Sequence, residues 1–435
     1  MTGPALSRQL GTVDAVALGM GSMIGAGIFA AFAPAAAAAG TGLLVGLVVA
    51  GVVAFCNATS SAQLAAQYPT SGGTYIYGRQ QLGEWPGFLA GWCFVIGKTA
   101  SCAAMALTFA SYAVPADWAR PVAVAAVLLL ATVNCFGVTR TAGLTRVIVA
   151  FVLVVLVVVI VVGLAAHTGA AATGGSTTSP GAASLGAANP GAASPLFPGG
   201  WYGTLQSAGL LFFAFAGYAR IATMGEEVKD PARTIPRAIV IALSIVLVLY
   251  ALVAVALVVT LGSDALAASR APLADLVTAG GVPGLAPLVR AGAAVAALGA
   301  LLALVAGIGR TSLAMARNRD LPTWLGAVHP RYRVPHHAEI ALAVVVSILV
   351  LTVDLRGAIG FSSFGVLLYY GIANVSAFTQ QRDRRRYPKA LQVLGASGCL
   401  VLVATLPPAS IVAGLAVVAA GVAYRLVRLA AARRA

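Results

Sequence analysis

The sequence predicts an all-α polytopic membrane protein with about twelve transmembrane helices. Of its 435 residues, 60% are hydrophobic and only 9% are charged. The mean hydropathy is +0.94. Because about a quarter of the residues in an ordinary soluble domain are charged, this composition excludes the soluble fold classes.

Twelve apolar stretches, called spans 1 to 12, are long enough to cross a bilayer. They lie at residues 13–38, 42–67, 86–113, 120–138, 144–166, 203–222, 236–261, 286–315, 337–354, 357–380, 390–406 and 408–429. Span 1 has no small-residue cleavage site after it, so we expect a retained membrane helix and not a signal peptide.

Positive charge is distributed unequally between the two sides of the membrane. The net charge of +15 would suggest a nucleic-acid partner in a soluble protein. With a cytoplasmic N-terminus, however, most Lys and Arg fall on the cytoplasmic side, which is the positive-inside bias. The sequence thus predicts a multi-pass protein of the cell membrane with both termini cytoplasmic and no nucleic-acid partner. We expect the run 382–386 and the tail residues to face anionic lipid, the latter being Arg425, Arg428, Arg433 and Arg434.

The residue types that bind metals or carry out catalysis form no pattern. The 5 cysteines lie in or beside apolar runs at spacings that fit no metal site. The 4 histidines lie at span ends or in loops, and there is no P-loop. We therefore expect no cofactor, no metal, no ATP-driven pump and no enzyme. A charged ring or repeated carbonyl filter, which would indicate a channel, is also missing from the sequence.

Span 1 carries four glycines, at positions 19, 21, 25 and 27. Each interior glycine weakens a helix by about 1 kcal/mol relative to alanine, so we expect the helix to unwind near mid-membrane. Unwound backbone is tolerated there only where it is buried in protein or lines a watery cavity. Its free N–H and C=O groups can then bind a small zwitterion. The alternative is that these glycines only let two helices pack closely.

Residues 167–202 are rich in Ala, Gly, Ser, Thr and Pro and carry no acid, lysine or arginine, which predicts a flexible external loop. This loop separates the first five spans (1–166) from the next five (203–381), and residues 382–435 hold spans 11 and 12 with a basic cytoplasmic tail. Span 6, the first of the second set, reads LLFFAFAGYAR at 210–220, which indicates a second interrupted helix. Matching interruptions in two halves indicate the substrate site of an inverted-repeat transporter.

Several motifs in order resemble the amino acid–polyamine–organocation superfamily of permeases. They are GSMIGAGIF at 21–29, YPTSGGTYIY at 68–77 with GFLAGW at 87–92, EEVKDPARTIPRAI at 226–239, AMARN at 314–318 with LP at 321–322, and LYYGIAN at 368–374. The resemblance covers roughly residues 10 to 385. It implies the LeuT-like fold, a 5+5 inverted repeat plus two peripheral helices, and amino acid transport by alternating access.

The two interrupted spans offer partners for both charged ends of an amino acid. The N–H groups of Gly25, Ala26 and Gly27, at the N-terminus of a half-helix, suit the α-carboxylate, and the Ser22 hydroxyl would assist. Backbone carbonyls suit the α-ammonium, and those considered are Met23, Ile24, Phe213, Ala214 and Gly217. By the resemblance, the Phe213 ring would close over the bound substrate; the alternative is ordinary core packing.

Lys98 lies about twelve residues into span 3. A lysine at mid-membrane costs about 2.5–3.5 kcal/mol on insertion scales, so it is a functional candidate. The resemblance places it near the pocket for the substrate side chain, where its ammonium would repel arginine and lysine. Some sodium-independent relatives use a lysine of span 5 in place of sodium; span 5 has none here, so Lys98 is alternatively the protonatable group. A third alternative is a lysine that only caps neighbouring carbonyls.

Charged residues after span 6 suggest a gate at the cytoplasmic side. Many members of the resembled family carry an acid directly after the Gly-aromatic pair, whereas Ala219 and Arg220 stand there in this chain. This departure argues against proton coupling through a carboxylate at that point. Arg220 would pair with Glu226 or Glu227, as a gate or as a structural ion pair.

The sequence favours a secondary transporter of amino acids with neutral side chains, proton-linked or working by exchange. An exporter, and a transporter of cationic amino acids or polyamines, are the alternatives within transport. A non-transporting membrane sensor is the alternative from another class. The oligomeric state leaves no signal in the sequence.

Overall fold

The computed structural model describes residues 10–69, 72–137, 142–172, 199–222 and 228–434. These residues are almost entirely helical, and nine helical stretches among them are long and apolar enough to cross a membrane. Two further apolar helices are shorter, His336–Thr352 and Lys389–Thr405. The prediction of an all-α polytopic membrane protein is confirmed.

Spans 1 to 5 correspond to the first eight helices. These are α1 (Thr12–Met23), α2 (Gly27–Ala30), α3 (Phe32–Ala39), α4 (Leu43–Gln67), α5 (Thr74–Leu82), α6 (Glu84–Ala113), α7 (Ala119–Cys135) and α8 (Ala142–Ala172). The short helix α5 lies in the connection between α4 and α6 and is outside the predicted spans. Helix α8 runs past the predicted end of span 5 at residue 166.

Spans 6 to 12 correspond to the remaining helices. These are α9 (Gly200–Phe215), α10 (Ala219–Ala222), α11 (Pro231–Ala268), α12 (Pro272–Ala279), α13 (Ala286–Arg317), α14 (His336–Thr352), α15 (Leu355–Phe378), α16 (Lys389–Thr405) and α17 (Pro408–Arg434). Helix α11 is broken at Gly262, whose φ of 75° lies in the left-handed region. This position is one residue beyond the predicted end of span 7.

The helix of span 1 is interrupted where the glycines predict it. Helix α1 ends at Met23, residues 24–26 leave the helical pattern, and α2 begins at Gly27. The Ile24 N–H closes the last turn of α1 on the Met20 carbonyl at 2.7 Å. The glycines lower the helix propensity of this segment, which accounts for the break inside it.

The helix of span 6 changes its geometry at the predicted position. Helix α9 ends at Phe215, a 3₁₀ turn covers Ala216–Tyr218, and α10 follows. A tighter turn within a helix leaves carbonyl groups out of the regular i→i−4 ladder. Both of the spans that the sequence predicts to be interrupted are therefore interrupted in the structure.

Helix α4 is central in the packing and contacts α9, α11, α15 and α16. Three fully buried polar side chains connect α4 to α15. Asn374 donates a hydrogen bond to Asn57 at 2.6 Å, and Ser60 donates one to Asn374 at 2.7 Å. Such hydrogen bonds hold helices together in a membrane, where no hydrophobic driving force acts between them.

Most of the predicted external loop, residues 173–198, lies outside the described residues. The division into 1–166, 203–381 and 382–435 stays a prediction.

Asp320, just after α13, lies at the centre of a buried ion cluster. This cluster includes Arg425, one of the tail arginines that the sequence predicts to face lipid. Arg79 donates to the Asp320 carboxylate at 2.8 Å, as does the hydroxyl of Tyr75, and Arg425 of α17 forms a short ion pair with it. Burial, followed by the hydrogen bond to Asp320, raises the pKa of Tyr75 to about 12, so its phenol remains a donor.

Arg425 is only 2% exposed, so the expectation that it faces anionic lipid is wrong. Its guanidinium lies over the rings of Trp85 and Phe88, at 4.8 and 4.7 Å from their centroids. The negative charge of Asp320 and the faces of these two rings compensate the positive charge of the buried guanidinium.

Candidate functional site

A cavity of about 130 Å³ lies between the two interrupted helices, α6 and α13. Helix α6 contributes Phe94, Lys98, Ser101 and Met105 to its wall. The other lining residues are Ser22, Gly72, Phe213, Ala216, Gly217, Arg220, Ala300, Ala303, Leu304, Gly307, Arg310, Thr311 and Ala314. The cavity therefore lies against the break of the second interrupted helix and beside the end of α1.

Five of the candidate residues line this cavity, and these are Ser22, Lys98, Phe213, Gly217 and Arg220. The others that the structure describes lie outside its lining, namely Met23, Ile24, Gly25, Ala26, Gly27 and Ala214. Glu226 and Glu227 lie outside the described residues. The structure thus brings the lysine of span 3 together with the second break and with Ser22 in the last turn of α1.

The backbone at the first break offers unpaired donors, although they lie behind the cavity wall. Among the described residues, the N–H groups of Gly25, Ala26 and Gly27 make no backbone hydrogen bond. A Cβ on Gly27 would lie 2.7 Å from the Cβ of Ala214, so the two interrupted helices touch at this glycine. Both interpretations of the glycines, helix breaking and close packing, therefore hold in the same segment.

Carbonyl groups at the two breaks already accept hydrogen bonds. The Tyr250 hydroxyl of α11 lies 2.6 Å from the Met23 carbonyl and 3.1 Å from the Ala214 carbonyl. The Ser22 hydroxyl donates to the Leu18 carbonyl within α1 at 2.9 Å. Tyr250 thus connects the first interrupted helix to the second, and two of the carbonyls considered for the substrate ammonium have a partner within the protein.

Lys98 forms a hydrogen bond with the backbone at the break of the second interrupted helix. Its ammonium donates to the Ala216 carbonyl at 3.0 Å, and the Tyr370 hydroxyl donates to the same carbonyl at 3.3 Å. The lysine is 6% exposed and lines the cavity. An ammonium has three donors, and this carbonyl engages one of them. Carbonyl capping by Lys98 is therefore observed, by a residue that also lines the cavity.

The described lining is cationic and mostly apolar. Lys98, Arg220 and Arg310 contribute positive charge to it, and none of the described lining residues is an acid. Phe213, which is 6% exposed, lies with Met105 and Leu304 on the apolar part of the wall. A cavity of this kind suits an apolar side chain and a carboxylate better than a second cation.

A family model described as amino acid permease matches residues 10–429. The chain belongs to the amino acid permease family. The resemblance drawn from the motifs is therefore confirmed, and the chain is similar to transporters over nearly its whole length.

Three relatives of this permease come from different organisms and differ in their identity to it. An uncharacterized transporter of Mycobacterium tuberculosis is 57% identical over 99% of this chain and 93% of its own length. Cationic amino acid transporter 7, chloroplastic, of Arabidopsis thaliana is 29% identical, with 87% of this chain and 66% of the relative covered. A branched-chain amino acid permease of Bacillus subtilis is 25% identical over 90% of this chain and 84% of its own.

Two residues of this site were not identified from the sequence. Tyr250 stands in a long apolar run, and a lone tyrosine there is more often core than ligand. Arg310 lies seven residues before the end of α13, where the pattern suggests a charge at the membrane surface. The structure places Arg310 on the cavity wall of the permease instead.

Gly217 permits the contact between the two interrupted helices of the permease. A Cβ at this position would overlap the Ser22 carbonyl and lie 2.6 Å from the Met23 nitrogen. Overpacking of this kind costs about 1–3 kcal/mol. Because backbone atoms cannot rotate away, we expect Gly217→Ala to slow substrate exchange by about 10-fold or more in proteoliposomes.

The matched control for Gly217 is Gly371→Ala. A Cβ at Gly371 would meet only the Cys399 Cβ, at 3.9 Å, which is ordinary contact. Exchange by that variant should stay at the wild-type rate. Equal rates for both variants would show that the close approach at Gly217 is not required for transport.

Proposed function

We propose that this permease carries amino acids with neutral side chains across the cell membrane by alternating access. The observation that carries the proposal is the position of Lys98, on the cavity wall and bound to the break of the second interrupted helix. A substrate with a cationic side chain would meet the ammonium of Lys98 in this cavity. Like charges in such a site repel by several kcal/mol.

The α-carboxylate binds at the first break in this proposal, and the side chain lies along the apolar wall. The donors are the N–H groups of Gly25, Ala26 and Gly27, which become accessible when the interrupted helix moves. Their lack of a backbone partner among the described residues supports this role. Phe213 closes over the substrate, and its place in the lining supports that role.

The architecture proposed for the transport cycle is the LeuT-like 5+5 repeat with two peripheral helices. Interrupted helices at the first position of each set of five support it. Both termini are cytoplasmic in this proposal because of the distribution of Lys and Arg. Transport is proton-linked or an exchange, and the direction in the cell depends on the gradients.

A transporter of cationic amino acids is the second candidate. Its support is that relatives named cationic amino acid transporters are 28% and 29% identical to this chain. The charge on the described cavity wall favours the first candidate over this one. An exporter would use the same site, since the cycle is reversible.

The deciding experiment is counterflow in proteoliposomes in sodium-free buffer. Vesicles are loaded with leucine, methionine, glutamate, arginine or putrescine, and uptake of the labelled form of the same compound is measured. We expect leucine and methionine to support exchange and arginine and putrescine not to do so. Exchange of arginine would support a permease but contradict its proposed selectivity for neutral side chains. No exchange of any compound, with or without sodium, would favour a non-transporting sensor.

A further inference from the structure

Glu339 is a buried carboxylate that the proposed substrate site does not use. It lies in the first turn of α14 and is 2% exposed. Among the described residues, its Oε2 atom has no hydrogen-bond partner. The other described acid buried to this degree is Asp320, which is surrounded by Tyr75, Arg79 and Arg425. An ionised carboxylate with an unpaired buried oxygen is costly, and such a group tends to bind a proton.

The surroundings of Glu339 come from two neighbouring helices. The Cys135 thiol of α7 and the charge of Arg310 on α13 both act electrostatically on the carboxylate. Its side chain packs on Gly309, where an added Cβ would lie 3.1 Å from Cγ. These groups are the charged or titratable ones that interact with the carboxylate among the described residues.

Three histidines lie close to one another just before Glu339. The ring centroids of His336 and His337 are 4.3 Å apart, and those of His329 and His336 are 5.2 Å apart. His329 is held by N–H groups of the following residues, Arg331 and Tyr332, at 3.2 Å. A test of Glu339 therefore compares variants that all keep these three histidines, at the same pH.

Arg310 connects Glu339 to the cavity. It lines the cavity wall, while its charge acts on the carboxylate behind the helix. Gly309, its neighbour in sequence, is the residue on which Glu339 packs. A substrate carboxylate that passes Arg310, or a movement of α13 that closes the cavity, therefore changes the charge balance and the exposure of Glu339. An element shared in this way is a physical route by which two sites can be coupled.

We propose that Glu339 is a proton-binding site that couples substrate movement to a proton gradient, an inference that rests on the proposed transport function. The carboxylate takes up a proton on the acidic side and releases it on the alkaline side. No redox step or further reactant is involved. Uptake into vesicles should therefore be driven by an alkaline interior, and each substrate should enter with a proton.

The test compares wild type, Glu339→Gln and a control in proteoliposomes. The control is Asp117→Asn, because Asp117 is an exposed acid in the connection before α7. Leucine counterflow and leucine uptake under an imposed pH gradient are measured on the same preparation, with a pH-sensitive dye inside the vesicles. Glutamine keeps the size and a hydrogen-bonding group of Glu339 while it cannot take up a proton.

We expect Glu339→Gln to keep counterflow within about twofold of wild type and to lose about 10-fold or more of the gradient-driven uptake. The substrate-dependent dye signal should disappear with it. Asp117→Asn should match wild type in every measurement. Gradient-driven uptake that persists in Glu339→Gln overturns the proposal, and it would leave Glu339 as an acid that only stabilises the first turn of α14.

Two other results separate this proposal from the proposed function. Wild-type counterflow without any response to the pH gradient means an exchanger and overturns only the role of Glu339. No wild-type counterflow overturns the proposed function itself. If Glu339→Gln does not fold, Glu339→Asp retains a carboxylate in a changed position. It should keep coupled uptake with a shifted pH midpoint, and an unshifted midpoint counts against the proposal.

Discussion

Replacing Arg425 by alanine is expected to lower the free energy of unfolding by about 3–5 kcal/mol. The substitution leaves the Asp320 carboxylate, whose side chain is 1% exposed, without its buried guanidinium partner. It also removes the cation that lies over Trp85 and Phe88. Because Arg79 and Tyr75 still contact Asp320, we expect a loss at the lower end of this range. Thermal unfolding in detergent, followed by tryptophan fluorescence, measures it.

Two further variants isolate the ion cluster as the cause. Arg433→Ala removes an exposed arginine from the same helix and should unfold at the wild-type temperature. Asp320→Asn combined with Arg425→Ala removes both charges, so the double variant should lose less than the sum of the two single losses. Additive losses, or an unchanged unfolding temperature for Arg425→Ala, would contradict a buried pair that stabilises the fold.

The long helices and the two breaks could be predicted because each depends on a local property of the chain. An apolar run of some twenty residues specifies a membrane-spanning helix. The break at residues 24–26 follows from the low helix propensity of the glycines in span 1. The short helices α5 and α12 were missed because neither is long enough to form an apolar span.

The interactions across the protein were harder to predict because they depend on packing. Arg425 looks like a topology signal in a basic tail, and only the folded chain brings Asp320 to it. Glu339 looks like an ordinary acid in the first turn of a helix, since its burial depends on how α14 meets α13. The position of Gly25 behind the cavity wall is likewise set by the contact of α1 with α13, where its added Cβ would meet Ala300.

Replacing Lys98 by glutamine is expected to admit arginine as a substrate. At about 4 Å and an effective dielectric constant of 20, two like charges repel by about 4 kcal/mol, and the repulsion falls with distance. Removal of the ammonium should therefore raise arginine counterflow by at least about 10-fold. Glutamine can still donate a hydrogen bond to the Ala216 carbonyl, so leucine exchange should persist.

Lys98→Arg is the matched control because it keeps the charge and a donor for the Ala216 carbonyl. It should continue to exclude arginine, even if its larger head group slows leucine exchange. Arginine exchange in both variants would mean that the charge at position 98 does not exclude arginine. No change in substrate range or pH dependence for Lys98→Gln would leave only the hydrogen bond to the second break as the role of this lysine. A loss of leucine exchange in Lys98→Gln and its retention in Lys98→Arg would instead show that the charge itself stabilises the break.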